Sequence, residues 1–393
     1  MIQLYKLEFG KLVRRASCIA GLLLLLLTAA EVYGKYVDPF GSSLYVIDKD
    51  GTILHGRAAI RLNRETVERY GGVLTDERVE EILRYFKLNE QQLEALLQDE
   101  NSDGVESPYA DLLIFCYFKE AQTFTVNRDS REETHTIVEM FDGEIPMRRI
   151  ADVFPESVLP LRMEYSLPWT DMMESMILVL FRLGLLMLLL VAPVFSDERM
   201  RRMNALLFTS QMGKRKCFWA KAAVAYSMGI VLAAAVVLLH VLITRFAFGS
   251  SGLSGSIQIG NLSGTYQNLL CVKTVGACIL EAAWLYTADV IFMVSITVLG
   301  SVLASNLLTS AVVSAVMWAV PIVLTFWNGI PEAVRLTAPV VHRMKFIGIL
   351  SQPDVAIGSI TVPYSYAAGG ILLLLSGLIL ICAAWLYGHV VGE

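Results

Sequence analysis

The fold of this chain is decided by the stretch Met176-Ile-Leu-Val-Leu-Phe-Arg-Leu-Gly-Leu-Leu-Met-Leu-Leu-Leu-Val191, in which Arg182 is the only charged residue. A helix needs roughly 20 mostly apolar residues to cross a bilayer, and the apolar character extends over 173–195. Five further stretches have the same character: 16–33, 218–242, 280–304, 307–327 and 367–387. The sequence therefore predicts an α-helical membrane protein with six transmembrane helices.

The first of these stretches has two interpretations. It follows Lys11, Arg14 and Arg15 and ends in small residues, which is also the pattern of a cleavable signal peptide. Its length favours a retained transmembrane helix, and residues 5–13 before it can form an amphipathic helix at the membrane surface. We therefore assign 1–33 to a cytoplasmic interfacial helix followed by the first transmembrane helix.

Charge is unevenly distributed along the 393 residues, of which 55% are apolar and 18% charged. Residues 34–172 hold 15 basic and 27 acidic side chains, whereas the rest of the chain holds 17 basic and 10 acidic ones. This composition excludes a disordered chain. A nucleic-acid partner is also excluded, because the hydrophilic part is acidic. Residues 34–172 are long enough for one domain, inserted between transmembrane helices 1 and 2.

Basic residues near the predicted spans give the orientation. Residues 1–15 carry four basic and one acidic side chain, and residues 196–221 carry seven basic and two acidic ones. Because Lys and Arg collect on the cytoplasmic side, both segments are predicted to be cytoplasmic. With six spans, both termini are then inside, and 34–172 is extracytoplasmic. The predicted location is the cell (plasma) membrane, as a multi-pass protein.

The inserted domain is predicted to be α+β. Strand-like residues 43–48 and 52–56 flank the turn Lys49-Asp50-Gly51, which indicates a β-hairpin. Thr75 can cap a following helix, and Asn89 with Gln92 resembles the capping box of a second one. The many carboxylates are interpreted as a solvated surface, and attraction of a cationic peptide is a further hypothesis.

The loop between the second and third spans is the most informative segment. It reads Phe195-Ser-Asp-Glu-Arg-Met-Arg-Arg-Met-Asn-Ala-Leu-Leu-Phe-Thr-Ser-Gln-Met-Gly-Lys-Arg-Lys-Cys-Phe-Trp-Ala-Lys221. Acids come first and bases last, which suits the dipole of a helix. An apolar stripe of Met and Leu predicts a short amphipathic helix over about 196–216, which either lies on the membrane or docks into a protein groove.

This loop resembles that of the permease subunits of type-2 ATP-binding-cassette (ABC) transporters. The matching positions are Phe195, Ser196, Glu198, Leu206, Leu207, Thr209, Ser210, Gly213, Arg215 and Lys221. Arg202 departs from the pattern, since glycine is common there. The insert, with Asp50-Gly51, 56–60, Tyr70-Gly71-Gly72-Val-Leu-Thr75, Tyr165 and Trp169, is similar to a clostridial-type, Firmicutes-like branch with a large extracytoplasmic insert.

The resemblance implies a division of labour. The chain would form the pathway together with a second permease copy or a related permease. A cytoplasmic ABC ATPase dimer would bind ATP and Mg, and the permease itself would bind no cofactor and no metal. The residues implied in ATPase coupling are Asp197, Glu198, Arg199, Arg202, Leu206, Leu207, Gly213, Arg215 and Lys221. For Lys214, Arg215 and Lys216, fixing topology and binding membrane lipid is an equally good interpretation.

Four ionisable residues fall within or near the predicted spans. Arg182 lies in the second, His240 in the third, and Glu281 and Asp289 in the fourth. Charges at bilayer depth are costly unless they are paired or hydrated, so all four are functional candidates. Arg182 with Asp289 or Glu281 is the natural pair by depth, either as part of a pathway or as an ion pair that fixes helix register. Simple exposure at the outer interface is a third interpretation, and the nearby Lys273 favours it for Glu281. For His240, a hydrogen bond within the bundle is favoured over a proton relay.

These observations predict a transporter subunit that is not itself an enzyme, because the sequence has no GxxxxGK[ST] phosphate loop. Its predicted role is export or clearance of a peptide, a lipid or an amphiphilic drug. The alternative is a non-transporting membrane sensor whose outer domain binds an extracellular ligand.

Overall fold

The structure is a computed structural model. It describes residues 2–13, 45–47, 53–78, 122–128, 131–137, 149–200, 213–259, 269–325 and 346–389, with isolated helical positions between 19 and 30. The chain divides into two compact units. The first consists of Met1–Ala29, Met173–Leu242 and Leu280–Glu393, and the second of Ala30–Met172 and Ile243–Ile279.

Long apolar helices dominate the described chain. The helices are α1 (Ile2–Val13), α2 (Gly56–Tyr70), α3 (Ile150–Val153), α4 (Leu167–Val191), α5 (Pro193–Met200), α6 (Gly213–Phe248), α7 (Val275–Leu303), α8 (Leu307–Thr325), α9 (Phe346–Leu350) and α10 (Tyr364–His389). Within the described residues, four helical stretches are long and apolar enough to cross a membrane: Leu167–Asp197, Arg215–Phe248, Val275–Leu303 and Tyr364–His389. The protein is therefore a mostly helical chain of the multi-pass membrane type.

These four stretches agree with the predicted second, third, fourth and sixth spans. The predicted fifth span corresponds to α8, of which the described apolar part, Leu307–Met317, is shorter than a full span. The predicted first span, 16–33, lies largely outside the described residues. The count of six spans therefore stays a prediction.

The four long helical stretches differ in how much of their apolar surface is buried. The apolar window of α7 is the most buried and that of α4 comes next, whereas α6 and α10 expose most of theirs. Glycine allows a close approach between α6 and α7, since a Cβ at Gly229 of α6 would lie 3.1 Å from a Val294 methyl. The helix with the fewest outward-facing apolar side chains is thus the centre of the bundle.

The second unit contains short antiparallel strand pairs. The strands are β1 (Tyr45–Ile47), β2 (Ile53–His55), β3 (Gly72–Val73), β4 (Gln122–Arg128), β5 (Arg131–Ile137) and β6 (Arg162–Met163). The pairs are β1 with β2, β3 with β6 and β4 with β5. Strands β7 (Val355–Ile357) and β8 (Ile360–Val362) form a further pair in the first unit.

Two of the local predictions for this unit are confirmed. Strands β1 and β2 form the predicted hairpin, with Val46 opposite Leu54. Thr75 caps the helical turn that follows it, since its Oγ1 accepts a hydrogen bond from the Arg78 amide at 3.3 Å. The second predicted helix, after Asn89, lies outside the described residues. Helix α2 was not predicted.

Segment 243–279 belongs to the same unit as 30–172. The Ser256 amide donates to the Arg162 carbonyl at 2.8 Å, and the Arg162 amide donates to Ser256 Oγ at 2.9 Å. Gly252 has a φ of +106°, and a Cβ at this position would meet the Tyr165 carbonyl oxygen, so only glycine fits.

Glu164 joins the same segment through its side chain. Its carboxylate accepts hydrogen bonds from Ser254 Oγ, from the Gly252 amide at 3.2 Å and from Arg162 Nε at 2.8 Å. Burial alone would raise the pKa of Glu164, but the Ser254 hydroxyl and the Arg162 guanidinium outweigh it, so the pKa is lowered.

Candidate coupling site

The helix that carries the deciding apolar stretch breaks at Ala192. Its last regular bond runs from the Ala192 amide to the Leu188 carbonyl, at 3.0 Å. Pro193 has no amide hydrogen, so it ends one helix and is well suited to the first position of the next. Helix α5 therefore starts at Pro193 and carries the first residues of the predicted coupling loop.

A serine from α7 caps the new helix. Ser301 Oγ accepts hydrogen bonds from the amides of Phe195, at 3.0 Å, and Ser196, at 3.2 Å. These amides lie in the first turn of α5, where a helix lacks internal acceptors. The same hydroxyl donates to the Ala192 carbonyl at 2.6 Å. A side chain 109 residues away in sequence thus performs the role that a local N-cap residue usually has.

The Ala192 carbonyl collects two more hydroxyl donors. Ser196 Oγ donates to it at 2.8 Å and Ser310 Oγ of α8 at 3.0 Å. Ser196, Ser301 and Ser310 each have at most 1% of their surface exposed. The break is therefore held by polar contacts from α7 and α8 in a region closed to solvent.

Lys221 of α6 is the fourth polar contact at the break. Its Nζ donates to the Val194 carbonyl at 3.1 Å and lies 5.2 Å from the centre of the Phe195 ring. The side chain is fully buried. A buried ammonium costs free energy unless hydrogen bonds and an aromatic face replace its water, and the first turn of α5 supplies both. Lys221 therefore fixes the position of α5 relative to α6.

Aromatic rings close the cluster. The Phe195 ring lies 5.4 Å from the Phe218 ring of α6 and 5.4 Å from the Tyr387 ring of α10, measured between ring centres. The Phe218 and Tyr387 rings are 5.6 Å apart. Five helices, α5, α6, α7, α8 and α10, thus contribute to one small region, which we call the α5 anchor: Ala192, Val194, Phe195, Ser196, Phe218, Lys221, Ser301, Ser310 and Tyr387.

The structure sorts the predicted coupling residues into three groups. Asp197 is half-buried in α5, Arg215 is exposed at the start of α6, and Gly213 is the first residue of α6. Glu198 and Arg199 lie in α5, and only their backbone is described. Arg202, Leu206 and Leu207 lie outside the described residues. Lys221 is the only one of these calls that belongs to the α5 anchor.

The intramembrane candidates are placed as follows. Arg182 is half-buried in α4. Glu281 of α7 is 3% exposed and accepts a hydrogen bond from Ser365 Oγ of α10 at 2.6 Å. Asp289 is buried on the same helix. His240 Nδ1 lies 2.8 Å from the Val236 carbonyl of its own helix, and since a carbonyl only accepts, Nδ1 donates. The pairing of Arg182 with Asp289 or Glu281 stays a prediction.

Sequence reasoning missed most of the α5 anchor. Ser301 and Ser310 appear in the sequence as ordinary small polar residues of apolar spans. Pro193 was the available signal, because a proline after a long apolar stretch marks a place where carbonyls and amides need new partners. In the part of the chain that the structure describes, no three His, Cys, Asp or Glu side chains are grouped as metal ligands would be.

Comparison of the chain with protein-family models, with curated proteins and with solved structures gives no match. The functional argument therefore rests on the α5 anchor. Mechanically, the anchor joins a short helix at the start of a basic loop to the most buried helix of the bundle. Hydrogen bonds from α6 and α7 reach the first turn of α5, and one from α8 reaches Ala192 directly before it.

Proposed function

We propose that this chain is the membrane-spanning permease subunit of an ABC transporter, powered by a separate cytoplasmic ATPase dimer that binds ATP and Mg. It works as a dimer, with a second copy of itself or with a related permease. Six spans cross the cell membrane, both termini are cytoplasmic, and 34–172 forms the extracytoplasmic insert. The cargo is a peptide, a lipid or an amphiphilic drug that is exported or cleared.

The single observation that carries the proposal is the α5 anchor. A buried lysine and three buried hydroxyls hold the start of the basic segment 196–221 rigidly against the bundle. A loop that transmits nucleotide-driven movement needs a stiff connection to the bundle, because slack would absorb the displacement. The basic character of 196–221 is consistent with an inner surface that an ATPase reaches.

The test is to purify the tagged full chain from its native membranes into lipid nanodiscs and to identify its partners by mass spectrometry. A co-purifying soluble protein with a phosphate-loop motif, whose ATP hydrolysis changes on binding the chain, is the expected result. Recovery of the chain without any such ATPase, together with ligand binding by the outer unit, would instead favour the sensor.

Substitutions then locate the coupling. Glu198→Ala and Lys221→Met should both weaken the effect of the chain on ATP hydrolysis, the first by removing a carboxylate that the family resemblance implies in coupling and the second by loosening the attachment of α5. Lys216→Met is the matched control, since Lys216 lies on the same helix as Lys221 but is exposed. Equal effects of the two lysine substitutions would remove the α5 anchor from the coupling mechanism.

A further inference from the structure

Helix α1 packs against the bundle with one face only. Tyr5, Glu8 and Leu12 lie within about 60° of one another around the helix axis, and Glu8 and Leu12 are buried. Tyr5 Oη hydrogen-bonds to Ser227 Oγ of α6 at 2.7 Å. Ser227 Oγ donates to the Val224 carbonyl at 3.0 Å, so the tyrosine hydroxyl is the donor in the first bond. The contact fixes α1 at one height along α6.

The neighbouring face of α1 is apolar and exposed. Ile2, Phe9 and Val13 lie within about 40° of one another, and their exposed fractions are 75%, 39% and 39%. On the far side of this apolar face lies Lys6, which is exposed. Lys11 forms an ion pair with Glu8 at 2.6 Å, so the charge of Lys11 is largely balanced within the helix. A helix with adjacent apolar and basic faces has the design of a membrane-surface helix.

The depth of the Tyr5–Ser227 contact in the membrane is consistent with a membrane-surface helix. Helix α6 has 36 residues, so its length of about 54 Å exceeds the ~30 Å hydrocarbon core. Ser227 follows the exposed Lys216 by 11 residues, about 16 Å along the helix. With the exposed Lys216 placed at the outer boundary of the headgroup layer, where a lysine is favoured, Ser227 lies beneath about 6 Å of headgroups and up to ~10 Å of acyl chain. Interfacial helices insert their apolar faces to about this depth.

We propose that α1 is a binding surface for anionic phospholipid. Ile2, Phe9 and Val13 insert among the acyl chains of the leaflet on the Lys216 side, and Lys6 binds the headgroup phosphate. Phospholipid is the occupant because apolar side chains next to a lysine, beside a transmembrane helix and just beneath the headgroups, match acyl chain and phosphate at once. The inference does not depend on the proposed transport function.

The test uses the full chain in nanodiscs of equal amounts of phosphatidylcholine and phosphatidylglycerol. The photo-crosslinker p-benzoylphenylalanine replaces Phe9 in one variant and Leu7 in the other. Leu7 is the matched control, because it is exposed on the same helix but lies about 160° away from Phe9. After irradiation, mass spectrometry should find lipid adducts at position 9 and few at position 7. Adducts of position 9 with protein only, or equal lipid capture at both positions, would overturn the assignment.

The two lysines test the headgroup preference. With the crosslinker at position 9, Lys6→Gln should lower the ratio of phosphatidylglycerol to phosphatidylcholine adducts by about fivefold, the value of one lysine near an anionic surface. Lys11→Gln should lower it less, because Glu8 already balances that charge. Equal effects of the two substitutions, or an unchanged ratio in Lys6→Gln, would overturn the role of Lys6. An unchanged melting temperature shows that each variant is folded.

Discussion

The Ser301 hydroxyl is predicted to contribute far more stability than the Ser310 hydroxyl, although both donate to the same carbonyl. Ser301→Ala removes the only acceptor described for the Phe195 and Ser196 amides outside their own helix, at 3.0 and 3.2 Å. Ser310→Ala removes one of three donors to the Ala192 carbonyl, at 3.0 Å. The first change leaves buried donors without an acceptor, whereas the second leaves a carbonyl that still has two partners.

The expected magnitudes follow from that difference. A buried polar group left without a partner costs about 1–3 kcal/mol, whereas one ordinary hydrogen bond contributes about 0.5–1.5 kcal/mol net. With two amides affected, Ser301→Ala should lower the free energy of unfolding by about 2–4 kcal/mol. For Ser310→Ala we expect about 0.5–1 kcal/mol, near the values measured for hydrogen bonds within membrane bundles.

The assay is reversible unfolding of the full chain in mixed micelles with increasing dodecyl sulfate, followed by circular dichroism. Both substitutions remove one buried hydroxyl from a helix of the first unit, so each controls for the loss of packing in the other. Equal destabilisation by the two variants would refute the capping role of Ser301. So would a Ser301→Ala variant as stable as the original chain.

Three further predictions concern other contacts. Lys221→Met removes the hydrogen bond to the Val194 carbonyl, so amide hydrogen exchange in α5 should rise. Unchanged exchange would contradict the anchor. Gly300→Ala should destabilise the bundle by about 1–3 kcal/mol, since the Cβ of the alanine would collide with Ser314 Oγ. Gly377→Ala is the control and should not destabilise the bundle, because a Cβ there would meet open space. Because the pKa of Glu164 is lowered, its carboxylate stabilises the second unit above pH 4.5, the ordinary pKa of the group, and this contribution is lost as the pH falls below that value. Glu164→Gln should abolish that part of the pH dependence of the melting temperature.

Local features of the fold were readable from the sequence. The β1–β2 hairpin and the Thr75 cap depend on residues within a few positions of each other, and both are confirmed. Apolar length located α4, α6, α7 and α10 for the same reason. Helix α2 was missed because the two buried apolar residues on its core side, Ile60 and Val67, are surrounded by charged residues, so its apolar stripe is narrow.

Most of the α5 anchor could not be predicted from the sequence, and the reason is physical. Two of its three serines, Ser301 and Ser310, lie 109 and 118 residues from the Ala192 carbonyl that they bind. A serine in an apolar span has the same local appearance whether it bonds its own helix, as Ser314 does with the Ser310 carbonyl, or a different one. Only the packing of α7 and α8 beside the break decides which serine is a cap.

Lys221 shows how the same residue type carries two kinds of information. In the sequence it is one of seven basic residues in 196–221 that predict a cytoplasmic loop, yet in the structure it is buried and bonded to α5. Without Lys221, this segment still holds six basic and only two acidic residues, so the predicted orientation does not depend on Lys221. The charge of Lys221 is therefore available for a structural role, and the exposed Arg215 and Lys216 remain to face water, lipid headgroups or a partner. Replacing those two exposed residues should leave amide hydrogen exchange in α5 unchanged, whereas Lys221→Met should raise it.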